Sequence, residues 1–381
     1  MLGVAARADV PPFHVMDIVS AAARRQRTHG DVVSLAAGQP AGPAPEPVLR
    51  AAERALREQT LGYTEQLGTV ELRTALAGHY ERQYGLAVSP EDVVVTTGSS
   101  GAFLLAFLAS FDAGARVALA RPGYPAYRNI LRALGCEVVE LPCGPDTRFQ
   151  PTVEMLAEAG PLDGLVVASP ANPTGTVLHP AELAGLAQWC AERGTRLVSD
   201  EIYHGISYGT PLACAWETSR DAIVVNSFSK AFAMTGWRLG WMLLPPALRR
   251  AVDCLTGNFT LCPPALAQHA AVAAFEPESY EQTARLVDGY RRNRDALLAG
   301  LTGLGIAKVA PAEGAFYAYA DVSHLTDDSM GFCRRLLADT GVAIVPGMDF
   351  DPVHGHEFVR LSFAGSAHDI DEALRRLKGW L

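Results

Sequence analysis

The sequence of 381 residues has few lysines and no close cysteine pairs. Its only lysines are Lys230, Lys308 and Lys378, so any chemistry that needs a side-chain primary amine has three candidates. The seven cysteines are scattered, which argues against both a disulfide framework and a structural zinc site. Cysteines and histidines share no ligand spacing, and we expect no metal site. This usage predicts a protein of a reducing compartment, the cytoplasm.

Positive charge and long apolar runs are scarce as well. The formal net charge is −9, so nothing electrostatic suggests a nucleic-acid partner. No apolar run reaches the roughly 18 residues of a membrane-spanning helix, and the stretch 102–111 therefore predicts a buried helix. The N-terminus lacks the charged-then-apolar pattern of a secretory signal. We expect neither a nucleic acid nor a membrane as partner.

Apolar residues are plentiful enough for a large core. They make up 49% of the chain against 19% charged residues, which excludes extended disorder. Short apolar runs alternate with helical segments such as 180–193. The runs lie at 93–97, 117–120, 164–168, 196–199 and 223–225. Continuous apolar strands separated by helices predict an α/β fold with a mostly parallel sheet covered on both faces.

The two ends of the chain have a different pattern. Helices are predicted at about 47–58 and 70–84, before the sheet begins. Beyond residue 285 we expect a long helix at 287–301 and a final helix from His368. Shorter strands are expected between these helices at 315–320, 342–345 and 358–363.

This change of pattern predicts two domains. The large one covers 46–285, and the smaller, of α+β type, covers 286–381. We expect the N-terminal segment 1–45 to join the smaller domain.

Several polar residues follow the predicted strands, where a doubly wound sheet opens its ligand crevice. Asn172 comes after one strand, Asp200 after the next, with Tyr203 three residues on, and Ser227, Ser229 and Lys230 after a third. At the end of an apolar strand Asp200 should be desolvated and should therefore have a cationic partner. Lys230 is the only lysine at such a strand end.

Each feature also has a purely structural interpretation. The Gly-Ser-Ser-Gly run at 98–101 suits a phosphate at a helix N-terminus, or is a tight turn. The Asn-Pro pair at 172–173 is a common turn, and Asp-Glu at 200–201 could start a helix. Arg238, between two tryptophans, could be a stacked structural arginine, and Arg360 could belong to a surface ion pair.

Taken together, these features resemble one family. The segment Ser-Phe-Ser-Lys-Ala-Phe-Ala-Met-Thr-Gly-Trp-Arg-Leu-Gly at 227–240 resembles the lysine motif of class I/II aminotransferases. These are pyridoxal-phosphate (PLP) enzymes of fold type I, similar to aspartate aminotransferase. Further matches follow in family order at 37–40, 62–63, 97–99, 122–125, 172–175, 200–203 and 360–362. The resemblance implies a seven-stranded, mostly parallel sheet in the large domain and a smaller α+β domain.

The resemblance also implies the catalytic residues. Lys230 would form a Schiff base with the PLP aldehyde and move a proton between substrate and cofactor carbons. Asp200 would pair with the pyridine nitrogen and keep it protonated, so that the ring accepts electrons. Tyr203 and Asn172 would donate to the phenolic oxygen of the ring.

Phosphate binding is assigned in the same way. Ser99, Ser100, Ser227 and Arg238 would hold the phosphate dianion, because hydroxyls, helix N–H groups and a guanidinium suit it. Tyr124 would stack on the ring face.

The remaining matches concern the substrate and a second subunit. Arg360 would bind the α-carboxylate of the substrate, with Asn172 beside it, and Gly38 would let the backbone approach that carboxylate. The tyrosine that Tyr63 matches reaches the phosphate of the neighbouring subunit, so the resemblance implies a homodimer with shared active sites.

Two departures bear on specificity. Ser99 and Ser100 stand where many relatives have a basic residue, and no second arginine aligns for a distal carboxylate, which disfavours a dedicated aspartate enzyme. The segment 13–18, with Phe13, Val15, Met16 and Ile18, is apolar. It favours a substrate with a neutral or hydrophobic side chain, unless these residues only pack against the smaller domain.

The expected activity is transfer of the amino group of an L-amino acid to a 2-oxo acid such as 2-oxoglutarate or pyruvate. One alternative is a PLP-dependent carbon–sulfur β-lyase or related synthase on the same fold, which would release pyruvate and ammonia without an amino acceptor. A more distant alternative is a non-catalytic effector-binding protein with an aminotransferase-like domain.

Overall fold

The computed structural model describes residues 3–381, so Met1 and Leu2 of the predicted N-terminal segment lie outside the described residues. The helices are α1 (His14–His29), α2 (Glu46–Glu58), α3 (Val70–Tyr84), α4 (Gly98–Ser110), α5 (Pro125–Ala133), α6 (Val153–Glu158), α7 (Pro180–Arg193), α8 (Arg249–Phe259), α9 (Ala265–Ala271), α10 (Pro277–Gly303), α11 (Ser329–Thr340) and α12 (Ala367–Trp380). The strands are β1 (Val33–Ser34), β2 (Val93–Thr96), β3 (Arg116–Arg121), β4 (Glu137–Pro142), β5 (Gly164–Ala168), β6 (Arg196–Asp200), β7 (Ile223–Ser227), β8 (Gly240–Leu243), β9 (Tyr317–Asp321), β10 (Val342–Ala343), β11 (Val345–Pro346) and β12 (Phe358–Ser362).

The central sheet has seven strands in the order β2-β8-β7-β6-β5-β3-β4. Strands β3 to β7 pair in parallel, whereas β8 is antiparallel to both of its neighbours, β2 and β7. Every residue of β2, β7 and β8 is buried, as expected for strands with helices on both faces. The predicted seven-stranded, mostly parallel sheet is confirmed. Strands β4 and β8 are absent from the five runs that the sequence analysis identified.

Local signals explain why several helix boundaries were predictable. Helix α3 begins after Thr69, whose hydroxyl accepts from the Leu72 N–H, and ends at Gly85 in the left-handed conformation. Helix α7 has Pro180 at its first position and Gly194 as its left-handed C-cap. The structure therefore confirms the bounds predicted for these two helices.

The C-terminal part is of α+β type and includes the N-terminal segment. Strands β11, β12 and β9 form an antiparallel sheet, and β1 pairs in parallel with β10, with Val33 opposite Val342. The single strand predicted at 342–345 is wrong, because β10 and β11 pair with different partners. The long helix begins at Pro277, ten residues before its predicted start. The predicted boundary at 285/286 falls inside α10, and the domain division stays a prediction.

The surface and the thiols add two observations. In the part of the chain that the structure describes, no helix combines the length and apolarity needed to cross a membrane. All seven cysteines are unpaired; five are buried, Cys262 is half-buried and Cys254 on α8 is exposed.

Candidate active site

A cavity of about 390 Å³ lies at the carboxyl ends of β5, β6 and β7, beneath helix α1 and beside the C-terminal strands. This is the edge at which a doubly wound sheet receives ligands. Ten of the twelve residues predicted for the site line it, and only two do not. The ten are Gly38, Ser99, Ser100, Tyr124, Asn172, Asp200, Tyr203, Lys230, Arg238 and Arg360.

Lys230 lies at the floor of the cavity, three residues after β7. Its Nζ donates to the carbonyl oxygen of Gly38 at 2.6 Å. Burial, reinforced by the positive charge of Arg360, lowers the pKa of Lys230 to about 8. About a tenth of the amine is therefore unprotonated at pH 7, far more than for an ordinary lysine, and can act as a nucleophile or accept a proton.

Asp200 ends β6 and does not start a helix, so that structural interpretation is wrong. One carboxylate oxygen accepts from the Ile202 N–H at 3.0 Å, and the other accepts from the Tyr127 hydroxyl. Burial raises the pKa of Asp200 to about 6, against the opposing effect of these hydrogen bonds. No arginine or lysine within residues 3–381 forms an ion pair with it, so the expected cationic partner is not found in the protein itself.

Tyr127 is a residue that the sequence analysis missed. It lies on α5, three residues after Tyr124, which is the N-cap of that helix, and both side chains line the cavity. Tyr124 also packs edge-on against Phe13 of the N-terminal segment, with ring centroids 6.1 Å apart. The i, i+3 spacing was visible in the sequence, but the contact of Tyr127 with Asp200 was not.

Arg360 on β12 is buried, which contradicts the interpretation as a surface ion pair. It is 3% exposed and forms no ion pair with a carboxylate among the residues described. Its guanidinium donates to Asn172 Oδ1 at 2.9 Å and to the Ala36 carbonyl at 2.8 Å, while Nε has no partner. A buried guanidinium without a carboxylate partner is well suited to bind an anionic ligand group, because the ligand's negative charge then compensates the buried positive charge.

A second anion-binding corner lies at the start of α4. The helix has no side-chain N-cap, so the amides of its first residues are free to bind a ligand. Arg238 approaches this end: a Cβ at Gly98 would lie 2.5 Å from Arg238 Nη2. A Cβ at Gly240 would lie 2.8 Å from Ser99 N, so glycine is needed there for β8 to pack against the helix start.

Ser227 and Tyr63 are the two predicted residues outside the cavity wall. Ser227 is buried behind it, with Oγ 2.9 Å from Ser229 Oγ and accepting from the Ser229 N–H at 3.1 Å. Ser229, which was noted after the same strand but given no role, lines the cavity in its place. Tyr63 is 85% exposed on the surface of this chain.

Helix α1 supplies an apolar wall. Phe13, Val15, Met16 and Val19 line the cavity, whereas Ile18 is 1% exposed and packs in the core. Ile18 therefore packs as the structural interpretation predicts, and the other four residues place an apolar surface at the cavity.

The start of α1 is fixed from the other end of the chain. The carboxylate of Asp349 accepts from the backbone N–H groups of His14 at 3.0 Å and Val15 at 2.6 Å. A carboxylate at this end of a helix also opposes the helix dipole favourably. The apolar wall is thereby held over the cavity.

Comparison with known proteins gives a consistent result. A family model described as aminotransferase class I and II matches residues 30–377. The chain is 64% identical over 381 residues to a valine–pyruvate aminotransferase of Mycobacterium tuberculosis, covering 99% of this chain and 98% of that protein. It is 39% identical to an aspartate/prephenate aminotransferase of Thermus thermophilus, covering 94% and 93%. A crystal structure of an aminotransferase from Mycobacterium tuberculosis, 64% identical, superposes with a TM-score of 0.99 over 100% of this chain and 99% of that one.

Proposed function

Since this chain belongs to the class I and II aminotransferase family and is an aminotransferase, we propose that it uses PLP to transfer the amino group of an apolar L-amino acid to a small 2-oxo acid such as pyruvate. The observation that carries the substrate class is Arg360, a buried guanidinium without a carboxylate, facing the apolar wall of α1. One end of this arrangement suits an α-carboxylate and the other an uncharged side chain.

The family is PLP-dependent, and the residues present fit that cofactor. The free amides of α4, with Ser99, Ser229 and Arg238, form a cradle for a phosphate dianion that a Cβ at Gly98 would obstruct. Tyr124 would lie against the ring, and Asp200 would pair with a protonated pyridine nitrogen. When bound, PLP supplies an electron sink for the electrons released at the substrate α-carbon.

The chain's own residues then do the remaining chemistry. Arg360 binds the substrate carboxylate and fixes the orientation of the α-carbon. Lys230, with its lowered pKa, would take the proton from that carbon as an amine and, as an ammonium, would deliver it to the cofactor carbon that bears the nitrogen. Tyr203 and Asn172 would donate hydrogen bonds to the phenolic oxygen of the cofactor ring.

The choice of substrates follows from the cations in the cavity. Arg238 and Arg360 are the only arginines that line it in the described part of the chain, and the phosphate cradle uses Arg238. Among the residues of this chain that the structure describes, no cation is left for a distal carboxylate. This supports a monocarboxylic acceptor, in agreement with the name of the mycobacterial relative, valine–pyruvate aminotransferase.

The proposal is tested by incubating the PLP-loaded protein with each common amino acid, with and without pyruvate, and measuring alanine. We expect alanine to form from apolar donors such as valine, and only when pyruvate is present. Pyruvate and ammonia released without an acceptor would support the β-lyase instead. A protein that binds PLP but converts no amino acid would overturn the proposal in favour of an effector-binding role.

Met16→Arg should change the donor preference. Met16 lines the cavity and is half exposed, so an arginine there can reach a distal carboxylate without being buried. We expect kcat/KM for glutamate to rise about five-fold, as a partly exposed ion pair contributes up to about 1 kcal/mol, and that for valine to fall. Val10→Arg, in the same segment but outside the cavity, is the control. Equal effects of both substitutions would show that α1 does not select the substrate.

We also infer a homodimer and a reducing compartment. Large apolar side chains are exposed, among them Tyr63, Leu104, Phe259 and Leu261, and two of these, Leu104 and Phe259, line one surface pocket. An apolar surface of this kind supports burial against a second copy. The seven unpaired thiols support the reducing compartment.

Tyr63→Phe tests the shared site. If Tyr63 reaches the phosphate of the neighbouring subunit, loss of its hydroxyl should weaken PLP binding about ten-fold, the effect of one hydrogen bond to a charged group. The molar mass measured by light scattering should stay at twice that of one chain, which separates cofactor binding from assembly. Leu61→Ala, two residues away and also exposed, is the control. Unchanged PLP affinity in a dimer would exclude Tyr63 from the phosphate site.

A further inference from the structure

Tyr317 on β9 contacts more of the candidate site than any role assigned so far explains. The residue is 1% exposed, and its hydroxyl lies 2.7 Å from that of Tyr203. The guanidinium of Arg360 lies over its ring, with Cζ 4.4 Å from the ring centroid. One side chain thus contacts both the predicted donor to the cofactor ring and the predicted binding residue for the carboxylate.

The third contact of Tyr317 involves Gly38. A Cβ at residue 38 would overlap the Tyr317 hydroxyl, so glycine there makes room for this phenol. The carbonyl of Gly38 in turn accepts from Lys230 Nζ at 2.6 Å. The Tyr317 hydroxyl therefore lies between Gly38 and Tyr203. Both are neighbours of Lys230, since the Tyr203 ring centroid lies 5.6 Å from Nζ.

The pair of phenols has one hydrogen bond and two protons. Burial raises the pKa of both Tyr203 and Tyr317, so both stay protonated at neutral pH. The positive charge over the Tyr317 ring makes its hydroxyl the better donor of the two. If Tyr317 donates to Tyr203, the proton of Tyr203 is left over and can point into the cavity.

From these contacts we propose that Tyr317 is a positioning residue for amino transfer. Its hydroxyl directs the Tyr203 proton into the cavity, and its ring holds the Arg360 guanidinium in place for the substrate carboxylate. The inference rests on the proposed function, because both actions concern PLP and an amino-acid carboxylate. The two actions use different parts of the side chain, so they can be separated by substitution.

Tyr317→Phe removes the hydroxyl and keeps the ring. Without that hydroxyl to direct its proton, Tyr203 becomes a weaker donor to the phenolic oxygen of PLP. The neighbouring Lys230 nitrogen then holds its proton more strongly. The pH at which the visible band of the PLP-loaded protein changes should therefore rise by about half a unit to one unit, with a five- to ten-fold lower kcat/KM. Binding of 3-methylbutanoate, an unreactive carboxylate, measured by calorimetry, should be unchanged because the ring still supports Arg360.

Tyr317→Leu removes the ring as well. It should weaken 3-methylbutanoate binding about five-fold or more, since a buried cation–π contact contributes on the order of 1–2 kcal/mol. The matched control is Tyr319→Phe on the same strand. Tyr319 is equally buried, its ring stacks on Phe358, and its hydroxyl has no hydrogen-bond partner. The Tyr319→Phe variant should have the same visible titration and the same affinity for 3-methylbutanoate as the wild type.

The double variant Tyr203→Phe/Tyr317→Phe tests whether Tyr317 acts through Tyr203. Its visible titration should match that of Tyr203→Phe alone, because the hydroxyl of Tyr317 then has no partner to direct. Additive shifts would overturn the positioning role, as would a wild-type titration in Tyr317→Phe. A wild-type protein that neither binds PLP nor transaminates would instead refute the proposed function.

Discussion

Turnover by a Lys230→Ala variant is expected to fall about 10⁴-fold below the wild-type rate. Lys230 is the only lysine that lines the cavity, so the described chain offers no other amine to replace it. The residues of the phosphate cradle do not depend on Lys230, and PLP should still bind. Loss of turnover with retained binding would separate the proton-transfer role of the amine from cofactor capture.

Borohydride reduction followed by intact-mass measurement provides the direct readout. In the wild type, hydride reduces the bond between the Lys230 nitrogen and the aldehyde carbon of PLP, so one cofactor per chain becomes permanently attached. No attachment should occur in Lys230→Ala. The matched control is Lys308→Ala, whose side chain is 83% exposed and paired with Asp321. Attachment that persists without Lys230, or full turnover, would refute the assignment.

Asp200→Asn is expected to lower turnover about 10³-fold and to stabilise the protein that lacks PLP. The activity falls because an amide carries no charge to keep a pyridine nitrogen protonated. The fold should tolerate the change, since the amide oxygen can accept from Ile202 and its N–H₂ can donate to Tyr127. An equal turnover in the variant would show that the charge of Asp200 is not used.

The stability effect depends on pH with a definite sign. Burial raises the pKa of Asp200 from 3.8 to about 6, so the folded state favours the protonated carboxyl. The stability contributed by this group is therefore present below about pH 4 and is lost as the pH rises through about 6. Above that pH the wild type carries a buried carboxylate that costs on the order of 2–3 kcal/mol, which the asparagine variant avoids.

Urea unfolding of both proteins without PLP, between pH 4 and 8, measures this difference. The free energy of unfolding should be similar at pH 4 and higher in the variant at pH 8. Asp321→Asn serves as a control of opposite sign. Burial alone would raise the pKa of Asp321, but hydrogen bonds from Ser323 and the charge of Lys308 outweigh burial and lower it. Asp321 therefore stabilises the wild type above about pH 4. A variant at Asp200 that is less stable at pH 8 would contradict the buried-charge argument.

Adding PLP should reverse the effect at Asp200. A protonated pyridine nitrogen pairs with the carboxylate and removes its cost, so the wild type should gain more stability from PLP than the variant does.

Elements with local signals could be predicted from the sequence. Helices α3 and α7 have a cap at one end and a left-handed glycine at the other, and both were predicted at their observed bounds. Strand β8 was missed because it has only four residues and begins with Gly240, a residue type that is disfavoured in strands. Strand β4 was missed because it lies at the sheet edge and mixes two glutamates with apolar residues.

The residues of the candidate site also fall into those that the sequence could identify and those that it could not. Residues within a contiguous motif or at a strand end, such as Lys230 and Asp200, were identified from order along the chain. Tyr317 was not identified, and Ser229 was noted after its strand but not assigned to the site, although both line the cavity. The contact of Tyr317 with Tyr203 joins residues 114 positions apart, and only the packing of β9 against the sheet creates it. For Ser229, two serines flank one phenylalanine, and the sequence does not say which of them faces the cavity.

The distribution of thiols gives the enzyme a ready attachment point for a fluorescent dye. Burial raises the pKa of Cys143 and of Cys190 to about 12, which makes these thiols unreactive toward maleimides, whereas Cys254 is exposed. Cys254 lies on α8, which packs against α4, the helix whose N-terminus forms the phosphate cradle. A dye at Cys254, with Cys262 replaced by serine, would report on cofactor loading in single molecules without any engineered cysteine.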